Sequence, residues 1–227
     1  MKPRGHRLYE APATYLLAWS ICRVFFKTYF RWRVYNVERI PLEGGVILAS
    51  NHGSYVDPPL IGSALWRHVN FFAREDLFTI PVLGWVLRDW DVVPVDRDGG
   101  GAVGLRAILD RLLAGHGIVL FPEGTRTRDG KLQPVRSGIG LTVIKSMAPV
   151  VPVRIFGSYE AYGRHLLLPR PHHVALKFGP PMRFEALRAE AKVCPKPRLK
   201  EIYRQVANDI MAAVAQLQPY EDKTQFP

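Results

Sequence analysis

Apolar residues along this chain fall into two kinds of segment. Short continuous runs bounded by glycine, proline or charge read as strands buried on both faces: residues 46–49 after the Glu43-Gly44-Gly45 turn, then 69–73, 91–95, 118–121, 149–156 and 174–178. Between them, residues 58–66 and 105–114 read as helices. Residues 200–217 carry Ile202, Val206, Ile210, Met211 and Val214 at the spacing of a closing helix. Strands alternating with helices predict an α/β fold, with a mixed, largely parallel sheet flanked by helices. No internal repeat or low-complexity tract interrupts the rhythm, and the clearest change of character falls near residues 36–41.

The segment before that change is different. Residues 12–32, PATYLLAWSICRVFFKTYFRW, are dense in Leu, Phe, Trp and Tyr, and Arg23, Lys27 and Arg31 recur every four residues. On a helix this makes a narrow basic stripe beside a wide apolar face, the pattern of an amphipathic membrane-interface helix with its cations at the headgroups. A helix packed on its own domain with a solvated basic edge fits the same pattern. The interface reading names Trp19, Arg23, Phe26, Lys27, Phe30 and Arg31 as the membrane contacts. It divides the chain into a basic aromatic membrane-associating leader, 1–35, and a main domain, 36–227, so that removing residues 1–31 should weaken liposome binding more than it changes the fold.

Charge sharpens that reading. The 227 residues carry a formal net charge of +11, and residues 1–40 alone hold Lys2, Arg4, Arg7, Arg23, Lys27, Arg31, Arg33 and Arg39 against Glu10 and Glu38. Such a field attracts nucleic acid or anionic lipid, and the surrounding aromatic and aliphatic side chains favour lipid. No stretch approaches the ~20 uninterrupted apolar residues of a membrane span. Residues 11–22, behind three basic residues, imitate a signal peptide, but Glu10 intrudes and no A-x-A site follows, so the segment reads as retained. The expected location is the cytoplasmic face of the membrane, monotopic or peripheral. With 48% hydrophobic and 22% charged residues, the chain as a whole is neither disordered nor collagen-like. Cys22 and Cys194 are too few for a disulfide framework and lack C-x-x-C spacing. His165, His172 and His173 lie in a Pro/Leu-rich stretch without carboxylate or cysteine partners, so no metal is expected.

The candidate chemistry sits just past two of the predicted strands. His52 is followed five residues later by Asp57, so the chain can bend back to let the carboxylate take the Nδ1 proton and leave Nε2 free as a base. Asp57 before Pro58 is equally a helix N-cap, and His52 a structural histidine. Phe121-Pro-Glu-Gly-Thr-Arg126 follows the second strand: Gly124 lets a ligand approach the backbone and Arg126 offers a fork for phosphate. A solvated surface turn is the alternative. Arg97 also falls just past a strand, with Arg74, Arg128 and Arg136 as further cations. Gly99-Gly-Gly101-Ala-Val-Gly104 satisfies the dinucleotide fingerprint G-x-G-x-x-G and would suit a nucleotide-binding oxidoreductase, although Pro94 and Asp96-Arg97-Asp98 intrude. A non-catalytic peripheral lipid-binding protein is a further alternative. No G-x-S-x-G nucleophile elbow is present.

Taken in order, His52-x4-Asp57, the ARED-LF and IPVLGW run ending in VPVDR97, FPEGTR and Val150-Val-Pro-Val-Arg154 resemble the glycerophospholipid acyltransferase family, most of all the 1-acylglycerol-3-phosphate acyltransferases, from about residue 32 to 178. The resemblance implies that residues 36–227 form an acyltransferase domain of phospholipid biosynthesis. Its substrates would be an acyl thioester, acyl-CoA or acyl-carrier protein, and a lysophospholipid, with no cofactor. His52 would be the general base and Asp57 its orienter. Gly124 and Arg74 would lie near the oxyanion and acyl carbonyl, while Arg97, Glu123 and Arg126 would hold the acceptor phosphate. The chain departs from the usual pattern at Ala73-Arg-Glu-Asp-Leu77, at Arg136, where lysine is commoner, and at Asp91, where glycine is.

Overall fold

In the computed structural model, which describes residues 7–95 and 101–220, each apolar run becomes a strand or helix. In chain order the elements are α1 (Ala13–Thr28), β1 (Arg33–Tyr35), β2 (Val46–Ser50), α2 (Asp57–Ala64), β3 (Val69–Asn70), β4 (Phe72–Arg74), α3 (Pro81–Asp89), β5 (Val93–Val95), α4 (Gly101–Leu113), β6 (Gly117–Leu120), α5 (Gly138–Ser146), β7 (Val150–Phe156), α6 (Ser158–Tyr162), β8 (Ala175–Phe178), α7 (Glu185–Ala191) and α8 (Lys196–Gln216), with short 3-10 turns among them. Six strands form one sheet in the order β1-β8-β7-β2-β6-β3, and only β7–β8 is antiparallel. This is the expected mixed, largely parallel sheet.

The continuous apolar character of β2 follows from its place between β6 and β7, with both faces covered. Alternate side chains leave opposite faces of a strand. Val46 and Leu48 join one core with Leu60, Ile61, Val151 and Leu176. Ile47 and Ala49 join the other with Ile118, Val143, Ile202, Val206 and Ile210. On that second face α5 and α8 meet through Gly140: a Cβ there would lie 1.9 Å from the Tyr203 carbonyl oxygen, so only glycine permits the contact.

Two expected strands are shorter or divided. The 69–73 run splits, Val69–Asn70 staying in the main sheet and Phe72–Arg74 pairing with β5 as a separate two-stranded piece. The 91–95 run starts late because Asp91 turns with φ +55°, the left-handed region glycine usually occupies. Its side chain compensates by accepting from Arg111 Nη2 (2.9 Å) and Asn70 Nδ2 (3.1 Å). At the amino ends of β2 and β6 the buried Arg67 guanidinium donates to the carbonyls of Pro41, Gly44 and Gly115.

The leader departs most from expectation. Its helix is present as α1, but Phe26 and Phe30, expected to contact lipid, are buried in the core with Leu48 and Leu176. Trp19 donates Nε1 to Leu65 O (3.1 Å), and Arg23 donates to Ser63 O (2.8 Å) while packing against both the Trp19 and Trp66 rings. Lys27 and Arg31 are exposed, and the outward stripe is instead Leu17, Ile21, Val24 and Phe25. Phe26 and Phe30 thus share one core with residues beyond Asn36, and Cys22, Tyr29, Trp32 and Val34 pack against it. Among the described residues no helix is long and apolar enough to cross a membrane.

Phe30→Ala is expected to lower the unfolding free energy by about 3–5 kcal/mol, the usual cost of emptying a buried aromatic site, measured by urea titration. A leader that merely rests on the domain would leave the midpoint unchanged.

Candidate active site

The register of the sheet brings the two chemical motifs together. Ala49 of β2 pairs with Leu120 of β6, and the strands are parallel, so both chains leave the sheet at the same edge and their loops lie side by side. Three contacts hold the loops in place. Thr127 N–H donates to His52 O (2.8 Å), the His52 N–H makes a long bond to Glu123 Oε1 (3.4 Å), and the His52 ring stacks on Phe121 with centroids 4.0 Å apart. Asn51 clips the same loop to β7 by exchanging two bonds with the Ile155 backbone, at 2.8 and 3.0 Å.

Asp57 is fully buried, and one of its oxygens, Oδ2, accepts from His52 Nδ1 (2.8 Å) and from the N–H groups of Gly53 and Ser54 (2.7 Å each). The carboxylate thus turns back onto the preceding loop and makes no capping bond to α2, so the N-cap reading is not realised. With Oδ2 accepting, the ring proton lies on Nδ1, which in the neutral imidazole leaves Nε2 with the lone pair. The His52 side chain keeps 17% exposure, enough for reaction at an open surface.

The neighbouring Glu123 is buried, with Oε1 facing the His52 backbone N–H. Burial first, and the Asp57 charge more weakly, push its carboxyl up to about 7 against the opposing backbone donors of His52 and Gln133. Its Oε2 has no hydrogen-bond partner among the described residues. Gly124 has φ +69°, and a Cβ would meet Arg136 Nε at 2.7 Å, so glycine is required. Its N–H, however, donates to Phe121 O at 2.9 Å, closing the turn, and is not free to meet an oxyanion. Arg74 is likewise occupied: its exposed fork grips Asp76 through Nε–Oδ1 (2.9 Å) and Nη2–Oδ2 (2.5 Å), and no described contact joins it to His52.

Arg126 does belong to the site. Its guanidinium carbon lies 3.4 Å from the Tyr55 ring centroid, and Nη1 is buried without a hydrogen-bond partner among the described residues. Arg126, by hydrogen bonding first and by charge second, holds the exposed Tyr55 phenol below its ordinary value, with a smaller pull from Arg164. Tyr55, Phe121, Asn51 and Arg164 are site residues that the motif reading passes over. Arg97, Gly99 and Gly100 lie outside the described residues. The dinucleotide reading has a further difficulty in that, among the described residues, β5, the strand before those glycines, pairs only with β4 and is absent from the main sheet. Among the described residues no group of three or more His, Cys, Asp or Glu could hold a metal ion.

A buried aspartate hydrogen-bonded to a histidine beside an E-G-T-R turn, at the carboxyl edge of a parallel sheet, defines an α/β protein with its candidate site at that edge. The acyltransferase family model matches residues 31–156, more than half of the chain, and the protein belongs to that family. A chloroplastic 1-acyl-sn-glycerol-3-phosphate acyltransferase of Brassica napus is 31% identical over 57% of this chain and 38% of its own length. A 1-acyl-sn-glycerol-3-phosphate acyltransferase of Bacillus subtilis is 29% identical over 55% of this chain and 62% of its own. The matches thus span less than two thirds of these relatives. The crystal structure of the 1-acyl-sn-glycerophosphate acyltransferase PlsC from Thermotoga maritima shares the fold, with a TM-score of 0.70, 24% identity, and coverage of 96% of this chain and 85% of that one.

The raised carboxyl of Glu123 gives the fold a pH signature. A folded value near 7 above an ordinary 4.5 means that the folded state holds an extra proton between those limits, so this group's contribution to stability falls as pH rises through that window. Glu123→Gln, permanently neutral, should lose that slope. In denaturant titrations the variant should gain on the wild type between pH 5 and pH 8, whereas parallel curves would contradict the assignment.

Proposed function

We propose that this protein transfers an acyl chain from an acyl thioester to the free hydroxyl of a lysophospholipid, with 1-acylglycerol 3-phosphate as the acceptor and phosphatidic acid as the product. The observation that carries the reading is the His52–Asp57 pair, in a single tautomer, at the carboxyl edge of β2 beside Arg126. His52 Nε2 takes the hydroxyl proton as the acceptor oxygen attacks the thioester carbonyl. The carbonyl carbon passes through a tetrahedral adduct, the carbon–sulfur bond breaks, and the proton on His52 neutralises the departing thiolate. The nucleophile is the substrate's own alcohol, so the protein need supply only the base and no acyl-enzyme forms. Arg126 holds the acceptor phosphate, and Arg97 stands as a second candidate for that role. The acyl donor is acyl-CoA or acyl-carrier protein, acting as a co-substrate, and no cofactor or metal takes part.

The acceptor and the acyl chain are delivered from a bilayer. The surface that meets it is the outward stripe Leu17, Ile21, Val24 and Phe25 of α1, with Lys27 and Arg31 toward anionic headgroups, and the exposed Val82 and Trp85 of α3 are further apolar candidates. The two helices meet where Thr14 hydrogen-bonds Asp89. The membrane face is the cytoplasmic one.

His52→Ala should reduce acyl transfer by about 10²–10⁴-fold, the usual contribution of a general base, in a protein that still unfolds in one cooperative transition, at a lower midpoint because Asp57 loses a donor. Turnover within a few-fold of wild type would overturn the mechanism. For the surface, the triple change Leu17→Ser, Ile21→Ser, Val24→Ser is expected to reduce flotation with phosphatidylglycerol-containing vesicles, and undiminished flotation would refute it.

A further inference from the structure

A loop remote in sequence delivers one more cation to the E-G-T-R turn. Beyond α6 the chain folds back on itself, with Arg170 N–H donating to Ala161 O (2.8 Å) and Leu166 N–H to Gly163 O (3.1 Å), while Tyr29 Oη ties Pro169 O to the end of α1 (3.0 Å). This places Arg164 so that Nη2 donates to Thr125 Oγ1 at 2.7 Å, across 39 positions of sequence. Thr125 adjoins Arg126, and Tyr162, two residues before Arg164, packs its ring 5.5 Å from Tyr55, over which Arg126 lies. Arg164, Thr125, Arg126 and Tyr55 therefore form one cluster.

The charges in this cluster are unbalanced. Arginines elsewhere on the surface include matched ones, Arg74 by Asp76, Arg7 by Glu43 and Arg198 by Glu190. Among the described residues no carboxylate lies within ion-pair distance of Arg126 or Arg164. Arg126 Nη1 is a buried donor without a partner, and the hydrogen bond to Thr125 uses one of five N–H groups that Arg164 offers. Two guanidiniums held near each other without an acid repel, and a bridging anion relieves that repulsion.

We propose that Arg164 is a second arm of the acceptor-phosphate subsite and selects a phosphomonoester over a phosphodiester headgroup. A phosphomonoester presents three terminal oxygens and nearly two negative charges near neutral pH, enough for two forks. A phosphodiester has two free oxygens and one charge, which Arg126 alone can satisfy. The inference rests on the acyl-transfer reading for the identity of the acceptor, while the anion chemistry of the subsite stands apart from it.

The test compares full-length wild type with Arg164→Ala and Arg164→Lys in two measurements. The first is calorimetric binding of sn-glycerol 3-phosphate and of glycerophosphoglycerol. The second is acyl transfer to 1-acylglycerol 3-phosphate and to lysophosphatidylglycerol. Arg164→Ala should weaken monoester binding and raise its KM about tenfold, the size of a charge-assisted hydrogen bond, with kcat within about twofold and the diester values nearly unchanged. Arg164→Lys should recover part of the loss. A loop merely braced by Arg164 would lose both headgroups alike, and that result overturns the proposal, as does monoester binding that is absent in the wild type or indifferent to the substitution. If the wild type acylates no lysolipid yet Arg164→Ala abolishes monoester binding, the subsite stands and the acyl-transfer reading falls.

Discussion

One carboxylate oxygen organises the centre of this molecule. A buried negative charge is costly unless donors replace its water, and Asp57 Oδ2 collects three, from His52, Gly53 and Ser54. Those bonds close the loop after β2, fix the imidazole in one tautomer, and hold its ring over Phe121. The loop after β6 is then braced from His52 through Thr127 and Glu123. Arg126 lies over Tyr55, which follows the loop that this oxygen closes.

Much of the architecture can be read locally. The strands announce themselves as apolar runs because both faces of the sheet are covered, and the short separation of His52 and Asp57 lets one turn join them. What escapes is whatever long-range packing decides. The α5 segment, GIGLTVIKS, starts with two poor helix formers, and its helix rests on the close approach to α8 that Gly140 permits. The three-residue β1 is a strand because Val174 to Lys177 lies beside it to receive it. At the site, Arg74 is diverted by an acid only two positions away, a pairing visible in the string A-R-E-D, whereas Arg164 carries no local signal at all.

The first helix illustrates a different ambiguity. An aromatic, basic helix reads the same whether its apolar side meets lipid or protein, because both environments exclude water. In α1 the faces divide: Phe26, with Phe30 just beyond the helix, enters the core, Arg23 packs against two tryptophans, and Leu17, Ile21, Val24 and Phe25 face outward. The cations that looked like one stripe have separate surroundings, Arg23 half-buried on Ser63 O and Lys27 exposed.

Arg67 stands at the far end of the sheet from this chemistry. Its guanidinium joins the peptide oxygens of Pro41, Gly44 and Gly115, which precede the two central strands. Cohesion and reactivity are thereby lodged at opposite poles of the same strands. Harmful inherited changes at the Arg67 pole would be felt as scarcity of the protein, and, on the function proposed, those at the His52 pole as idle copies of it, so a measurement of cellular abundance beside one of turnover would tell an observer which pole had been struck.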